Sequence, residues 1–574
     1  MTRKLLLGLL LIVGGGVLLR WAGLLNQGFI HPDQATYAAL LRYRDPAAAD
    51  TVVFFARPAL YWALEGITRC FGWASWSNAA VSAAFGSLTV ALTAWWGRRI
   101  GGAAAALVAS GLVAFSASHL LLSRIGIGVA ESGFFATAGW FVYAGSLQEN
   151  RMEKEAAPFL SSRSWLLTAS LLAVSVAILL CLKAAAAMLY PSKETLRILF
   201  LKSAVWLQGI SWLFELLTAC LLWRLIRRAD RTESCQLAGA GLLAGIAVLW
   251  HYTALWLLPI SFGLSELWLG FDRASFRPFP SRGLRLGLSF LLPVILAQGI
   301  GFPNRMYWKE LAGIIGANIN ARFPWNEPAY YLQVLWNRDG TGWTLLWLGG
   351  LSLGGILAFR NRHPQAISAW LAGAGIFGFM SLTAALGGLA VARGIGLGIP
   401  PVAVVTGWAV SRWFGSSKRA VPLLLVGLVG ITASPHLLRI LRTRSGFETA
   451  VRTMGRTGTD KASAAYLKSP SAWIFYLGPQ RAIPLTSPLP GSLLSKPIPR
   501  LPAVRFVALD QVTPNEVELV MGKRRPIAVI PNPQERLQEI ICEIEYGAKA
   551  WRSPRQRSRL GQILIFDLNS PESR

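Results

Sequence analysis

The sequence predicts an all-α polytopic membrane protein of about thirteen transmembrane helices, followed by a small C-terminal α/β domain outside the cytoplasm. Three observations carry this prediction. Only 15% of the 574 residues are charged and 53% are hydrophobic, against about 25% charged in an ordinary globular domain, so the charges could not cover a water-soluble body. The apolar residues gather in runs near the roughly 20 residues that a helix needs to cross about 30 Å of hydrocarbon. The 56 Lys and Arg, against 28 Asp and Glu, lie mostly in short clusters between those runs, which is how cytoplasmic loops are marked.

The predicted spans are residues 5–25, 79–96, 101–122, 130–147, 165–190, 204–225, 284–302, 341–359, 366–386, 395–413 and 421–438. The first lacks the small-residue cleavage site of a signal peptide and reads as retained. Residues 237–269 are long for one crossing and short for two. Arg224, Arg227, Arg228 and Arg231 precede them, and Arg273, Arg277, Arg282 and Arg285 follow. With both clusters cytoplasmic, the chain crosses twice there and turns near Trp250-His251-Tyr252. The division is then a membrane domain, 1–438, and a soluble extracytoplasmic domain, 439–574. The outer loops 26–78 and 303–340 are long and rich in aromatics and proline, and long ordered loops tend to carry function; a weaker one lies near 191–202. In the tail, strands are expected at 472–477, 505–509, 527–530 and 563–566, with helices at 448–467 and 534–549. No Asn-x-Ser/Thr sequon occurs, which favours a bacterial inner membrane over the endoplasmic reticulum.

The basic excess is not that of a nucleic-acid binder, because no zinc-finger, RNA-recognition or basic-zipper signature accompanies it. The five cysteines lack CxxC spacing, so no structural zinc site is indicated. P-loop and H-E-x-x-H signatures are absent too. Attention therefore falls on polar residues at the outer ends of spans. Asp33, just after the first span, reads either as an acid at a helix N-terminus or as a general base. Arg57 either snorkels to headgroups or forks onto a phosphate. Glu65 could pair with Arg57 or Arg69. Arg124 and Glu131 bracket a short outer turn and read equally as a salt bridge or as site residues. Arg393 stands alone in an apolar stretch, and an isolated arginine there is a functional hypothesis by default. His251 is either a packing residue or a titratable ring at the same level. One acid and three arginines beside membrane spans suit a lipid-linked phosphate, whose tail stays in the bilayer.

These residues resemble motifs of the GT-C membrane glycosyltransferases, in the branch of protein O-mannosyltransferases and aminoarabinose transferases. The family's Asp-Glu and following Tyr are matched by Asp33-Gln34, with Gln in place of Glu, and by Tyr37. Its Lys/Arg-Pro-Pro-Leu-Tyr is similar to Arg57-Pro58-Ala59-Leu60-Tyr61, and its Ser-Arg to Ser123-Arg124. A Gly-Leu-Leu-x-Gly run before a polar turn resembles Gly241–Gly245 and then His251-Tyr252, and a late Arg-Tyr segment ending in Pro resembles Arg393–Pro400, with Gly394 in place of Tyr. The resemblance implies a polyprenyl-phosphate-linked sugar donor, inversion at the anomeric carbon, and a lipid, polysaccharide or protein acceptor. It implies Asp33 as the base and Arg57, Arg124 and Arg393 as donor-phosphate ligands. Tyr37, Tyr61, Glu131, His251 and Tyr252 would support them. No organic cofactor is implied, and arginines could supply the charge a metal otherwise brings. A transporter is the main rival reading, but the inverted repeat common in transporters is missing; a non-catalytic envelope scaffold is the other.

Overall fold

The computed structural model describes residues 3–43, 57–149, 231–272, 279–299, 329–385, 392–414 and 420–457 of the helical part. Towards the C-terminus it describes 463–466, 470–478, 480–484, 504–510, 512, 514–522, 524–532 and 562–568. The spans expected at 165–190 and 204–225, the loop 191–202, most of 303–340 and the helix at 534–549 lie outside the described residues.

Helix α1 (Arg3–Trp21) is followed by α2 (Pro32–Tyr43) and α3 (Pro58–Phe71), which occupy much of the first outer loop. Helix α4 (Ser77–Ala114) has 38 residues. At ~1.5 Å per residue it would reach ~57 Å if straight, far more than one crossing needs. It is a hairpin instead. Gly101 and Gly102 leave helical geometry, the latter with φ 76°. Beyond the break a Cβ on Gly97 would meet the Ala105 carbonyl oxygen at 2.9 Å. Farther up the hairpin Gly86 faces Ser123; the expected span 79–96 is one helix, whereas 101–122 is interrupted at residues 115–116. The second arm stops at Ala114, because Ser116 starts a new short helix, α5 (Ala117–Leu122), its Oγ accepting from His119 N at 3.0 Å.

There follow α6 (Val129–Glu149), α7 (Arg231–Trp250), α8 (Ala254–Asp272), α9 (Phe279–Gly299) and α10 (Tyr330–Asp339). Helix α11 runs over Thr341–Arg360 with a π turn at Gly350–Gly354, and α12 (Pro364–Ala385), α13 (Ile399–Phe414) and α14 (Ala420–Leu441) complete the helical part. Among the described residues six helices are long and apolar enough to cross a membrane. The stretch 237–269 is two helices that break at residues 251–253, as the arginine clusters implied.

Small residues bring these helices close. On α7 a Cβ at Gly241 would meet the Leu286 carbonyl oxygen at 2.4 Å, and one at Gly245 the Phe290 carbonyl oxygen at 2.3 Å. The Gly-x-x-x-Gly spacing thus seats α7 on the backbone of α9. Toward the end of this bundle away from His251 a buried ionic cluster ties four helices. The Arg282 Nε and Nη2 donate to Glu266 at 3.0 Å, the Tyr143 hydroxyl donates to the same carboxylate at 2.7 Å, and Glu233 also pairs with Arg282.

The C-terminal part contains α15 (Phe447–Thr457), β1 (Ser463–Tyr466), α16 (Pro470–Leu477), β2 (Ala482–Pro484), β3 (Val504–Asp510), α17 (Pro514–Met521), β4 (Ala528–Pro531) and β5 (Gln562–Asp567). The sheet order is β2-β1-β3-β5-β4; β2, β1 and β3 are parallel, whereas β5 is antiparallel to both β3 and β4. Two expectations are corrected. Residues 472–477 form a helix, not a strand: Pro470 is pre-organised for a first helical position, and Gly478 with φ 90° ends it. A short apolar run cannot be assigned by periodicity alone. The helix expected over 448–467 stops at Thr457, and residues 463–466 join the sheet. Phe29, Ala35, Ala38 and Ala39, from α2 and the turn before it, lie in one apolar core with Phe447, Trp473, Phe475, Phe506 and Ile563.

Candidate active site

The site is assembled around α2 and the start of α3. Pro58 sits at the first helical position of α3, and Arg57 precedes it in a non-helical conformation (φ −131°, ψ 63°) while its carbonyl accepts the first helical hydrogen bond, from Tyr61 N at 3.1 Å. A residue before proline is driven out of the α region, so the Arg-Pro order itself turns the Arg57 side chain away from the helix. That side chain is fully buried. Its Nη1 donates to the Tyr37 hydroxyl and, at 3.0 Å, to the Ile127 carbonyl. The guanidinium carbon lies 5.4 Å from the Tyr37 ring centroid and 5.5 Å from that of Tyr252. The Nε and Nη2 atoms are buried and have no hydrogen-bond partner among the described residues. A buried arginine with two idle donors is costly and is shaped to receive an anion.

Asp33 lies one helical turn before Tyr37 on the same face of α2. Its carboxylate faces Arg393, with Nη1 and Oδ2 3.7 Å apart; the aspartate side chain is 32% exposed and the arginine 10%. Arg393 belongs to a 3-10 turn, Ala392–Leu397, just before α13. The base candidate is therefore partly accessible, whereas Arg57 is fully buried. Gln34, where the resembling family has Glu, is buried and structural: its Oε1 accepts from Ile30 N at 3.2 Å, its Nε2 reaches the Ser75 carbonyl at 3.4 Å, and its own carbonyl accepts from Asn78 at 3.0 Å.

His251 occupies the turn between α7 and α8. Its Nδ1 meets the Thr253 hydroxyl at 2.8 Å and faces the Thr253 N–H, and its ring stacks on Tyr252 with centroids 4.7 Å apart. Nε2 is buried without a partner among the described residues. Burial, and then the Arg57 and Arg393 charges, lower its pKa well below that of an ordinary histidine. The ring is neutral at neutral pH, and Nδ1 faces the Thr253 N–H, so the proton sits on Nε2, an idle donor beside two arginines. Burial also raises the Tyr37 pKa well above the usual tyrosine value, Asp33 and Tyr252 adding to the rise and Arg57 and Arg393 opposing it. Tyr37 stays a neutral phenol.

Glu131 is buried in the first turn of α6. Ser82 Oγ donates to its Oε1 at 2.6 Å, and Oε2 is without a partner among the described residues. It makes no salt bridge with Arg124 in the described part; the Arg57 charge acts on it instead. Tyr61, half-buried on α3, packs against the main apolar core. Glu65 pairs with Arg69 at 2.6 Å, not with Arg57.

Arg124 is placed elsewhere, against its assignment to the donor phosphate. Its Nε donates to Gln27 at 2.8 Å, and Nη1 to the carbonyls of Leu19, Arg20 and Ala22 at 3.0–3.2 Å. Those are the orphan carbonyls at the C-terminal end of α1, so Arg124 caps that helix. Arg20 completes a clasp from the other side, bonding the Val113 carbonyl at 3.1 Å and His119 Nδ1 at 2.7 Å. The turn after Arg124 then passes Gly126 (φ 61°) and Gly128 (φ 89°), which aim the Ile127 carbonyl at Arg57. Sequence reasoning missed Ser82, Thr253 and the Ile127 carbonyl. Thr253, two residues after His251, lies within side-chain reach and carried a readable signal; Ser82 and Ile127 carried none.

No family model and no curated protein matches the chain. Among solved structures it is similar to ArnT from Cupriavidus metallidurans bound to undecaprenyl phosphate, at 13% identity and a TM-score of 0.50, over 90% of this chain and 96% of that one. The chain has the GT-C fold. The apo state of the same ArnT gives 13% identity and a TM-score of 0.49, over 90% and 95% of the two chains. The archaeal oligosaccharyltransferase AglB from Archaeoglobus fulgidus, in complex with an inhibitory peptide and a dolichol-phosphate, gives 12% and 0.43, over 90% and 70%. Within this GT-C chain, Asp33, Tyr37, Arg57, His251, Tyr252 and Arg393 form one cluster, with Glu131 beside Arg57 and Arg124 on α1.

Proposed function

We propose that this protein is an inverting GT-C glycosyltransferase that moves a sugar, hexose or pentose, from a polyprenyl-phosphate donor to an acceptor hydroxyl. The observation that carries the reading is the pairing of a buried cation with a partly exposed acid. Arg57 is fully buried with two unpartnered donors, while Asp33, on the helix that carries Arg57's partner Tyr37, is one-third exposed. A phosphate arriving from the lipid side would fill the idle Nε and Nη2 of Arg57 and accept from His251 Nε2. The acceptor would reach Asp33 from the water side.

Asp33 takes the proton of the acceptor hydroxyl as its oxygen bonds to the anomeric carbon. The bond from that carbon to the phosphate oxygen breaks, its electron pair staying on the phosphate, where Arg57 and Arg393 stabilise the added charge. The ArnT neighbour bound to undecaprenyl phosphate supports a polyprenyl phosphate as the carrier. In this reading the site lies at the outer ends of its spans, the protein works in a bacterial inner membrane, and the C-terminal α/β part lies outside the cytoplasm. The acceptor is a lipid, a polysaccharide or a protein, and Arg57 and Arg393 bring positive charge to the leaving phosphate.

Asp33→Asn tests the proposal. It should abolish sugar transfer to the envelope, read by mass spectrometry, while membrane levels of the protein and its affinity for undecaprenyl phosphate hold. Transfer at the wild-type level in Asp33→Asn rules the assignment out, and a solute-uptake defect in its place points to the transporter reading.

A further inference from the structure

Helix α2 has two working faces. Asp33, Gln34 and Tyr37 turn toward the membrane helices. Ala35, Ala38 and Ala39, with Phe29 just before the helix, are buried in the apolar core of the C-terminal α/β part. Residues 35, 38, 39 and 42 recur at the spacing of one helical stripe, and that stripe is answered by a single element, α16. The Thr36 and Ser471 hydroxyls lie 3.0 Å apart. The Phe475 carbonyl, in the last turn of α16, accepts from Arg42 Nη1 at 3.0 Å and from the Tyr43 hydroxyl at 3.1 Å. The Phe475 ring meets Phe29 edge-on with centroids 4.8 Å apart, and the Arg42 guanidinium lies 5.0 Å from it. At the other entry to this contact, Ser445 N donates to the Gln27 carbonyl at 2.8 Å. On the membrane side, α2 is held by polar contacts at Gln34 and Tyr37 and by Leu40 and Leu41, which are buried in the main apolar core.

We infer that the C-terminal α/β part is a clamp on the catalytic helix: α16 grips the outer face of α2 and thereby sets the distance from Asp33 to Arg393 and the reacting centre. The inference rests on the assignment of Asp33 as the base. It makes Thr36, Arg42, Tyr43 and Ser471 positioning residues, which never touch substrate. Donor binding depends on Arg57, which shares Tyr37 with α2 but keeps the Ile127 carbonyl and its place at the start of α3, so loosening α16 largely spares it. Transfer depends on where the Asp33 carboxylate stands, so loosening α16 impairs it.

The test uses the full-length protein in lipid nanodiscs with three readouts: hydrogen exchange of residues 32–43, affinity for undecaprenyl phosphate, and sugar transfer. Arg42→Ala with Tyr43→Phe removes both side-chain bonds to the Phe475 carbonyl. A misplacement of order 1 Å lowers a rate by up to about 100-fold, so a fall of roughly tenfold or more in transfer is expected, with faster exchange in α2 and phosphate affinity unchanged. A Thr36→Cys/Ser471→Cys disulfide, in a background with the native cysteines replaced, should then restore transfer. Unaltered exchange in α2, transfer unaffected by faster exchange, a loss the crosslink does not rescue, or affinity falling together with transfer each overturns the clamp. Should Asp33→Asn keep its transfer activity, the base assignment fails instead, and the exchange measurement still reads the clamp by itself.

Discussion

Replacing Arg57 by lysine separates a phosphate fork from a mere buried charge. In the protein, Nη1 is already engaged by Tyr37 and Ile127, which leaves Nε and Nη2 as the pair available to a ligand. Lysine keeps the positive charge but offers a point where arginine offers two parallel donors. Of two charge-assisted bonds to the phosphate, one is lost, and each such bond contributes roughly 1.5–3 kcal/mol. That corresponds to about 10- to 150-fold weaker binding. The assay is the affinity of full-length protein for undecaprenyl phosphate, with the melting temperature followed in parallel to exclude misfolding. Arg57→Ala, which loses both bonds and the charge, should be weaker still. Affinity of Arg57→Lys within twofold of wild type, in a protein of normal stability, refutes the assignment of the idle donors to phosphate.

Arg124→Ala should behave in the opposite way: losing the cap on α1 should cost about 2–4 kcal/mol of stability, seen as a lower melting temperature, while the folded fraction binds undecaprenyl phosphate normally. His251 sets a pH dependence. Its pKa is depressed in the folded protein, so its contribution is complete above the unfolded value of about 6.5 and is lost as pH falls toward the folded value. The melting temperature should therefore decline as pH drops below about 6.5, and His251→Gln should flatten that decline. Gly128→Ala should be severe, because φ is 89° and a Cβ would stand 2.2 Å from the Trp250 carbonyl oxygen. Displacing this turn also moves the Ile127 carbonyl off Arg57, so both melting temperature and phosphate affinity should fall.

Much of the helical part was legible because a bilayer admits few solutions. Long apolar runs must be helices, and paired arginine clusters told that residues 237–269 break into two helices. The relation of Asp33 to Tyr37 was readable as well, since four residues on a helix bring two side chains to one face. What could not be read was long-range. Arg57 and Arg124 each sit beside an outer turn with similar neighbours, yet one faces an aromatic cage and the other the end of α1. Only the packing of α1 against the α4 hairpin distinguishes them. Gln34 looked like a damaged motif position and proved to be a pin between two backbone segments. In the C-terminal part, the apolar run 472–477 had no period to betray its helix, and its true partner, the alanine stripe of α2, lies more than 400 residues away in sequence.

The arginine clasp on α1 has a mechanical consequence. Only 17% of the apolar window of this helix is buried, and apolar surface gives helices little reason to associate within lipid. Arg20 and Arg124 therefore hold it at one end, the end nearest Asp33. When a thicker or thinner bilayer forces α1 to tilt or slide, the movement falls on the far end, where Gly8 meets Leu107 and Leu423 through apolar side chains alone, like a flagpole stepped at its base. The chemistry at the other end is thus insulated from the physical state of the membrane around it.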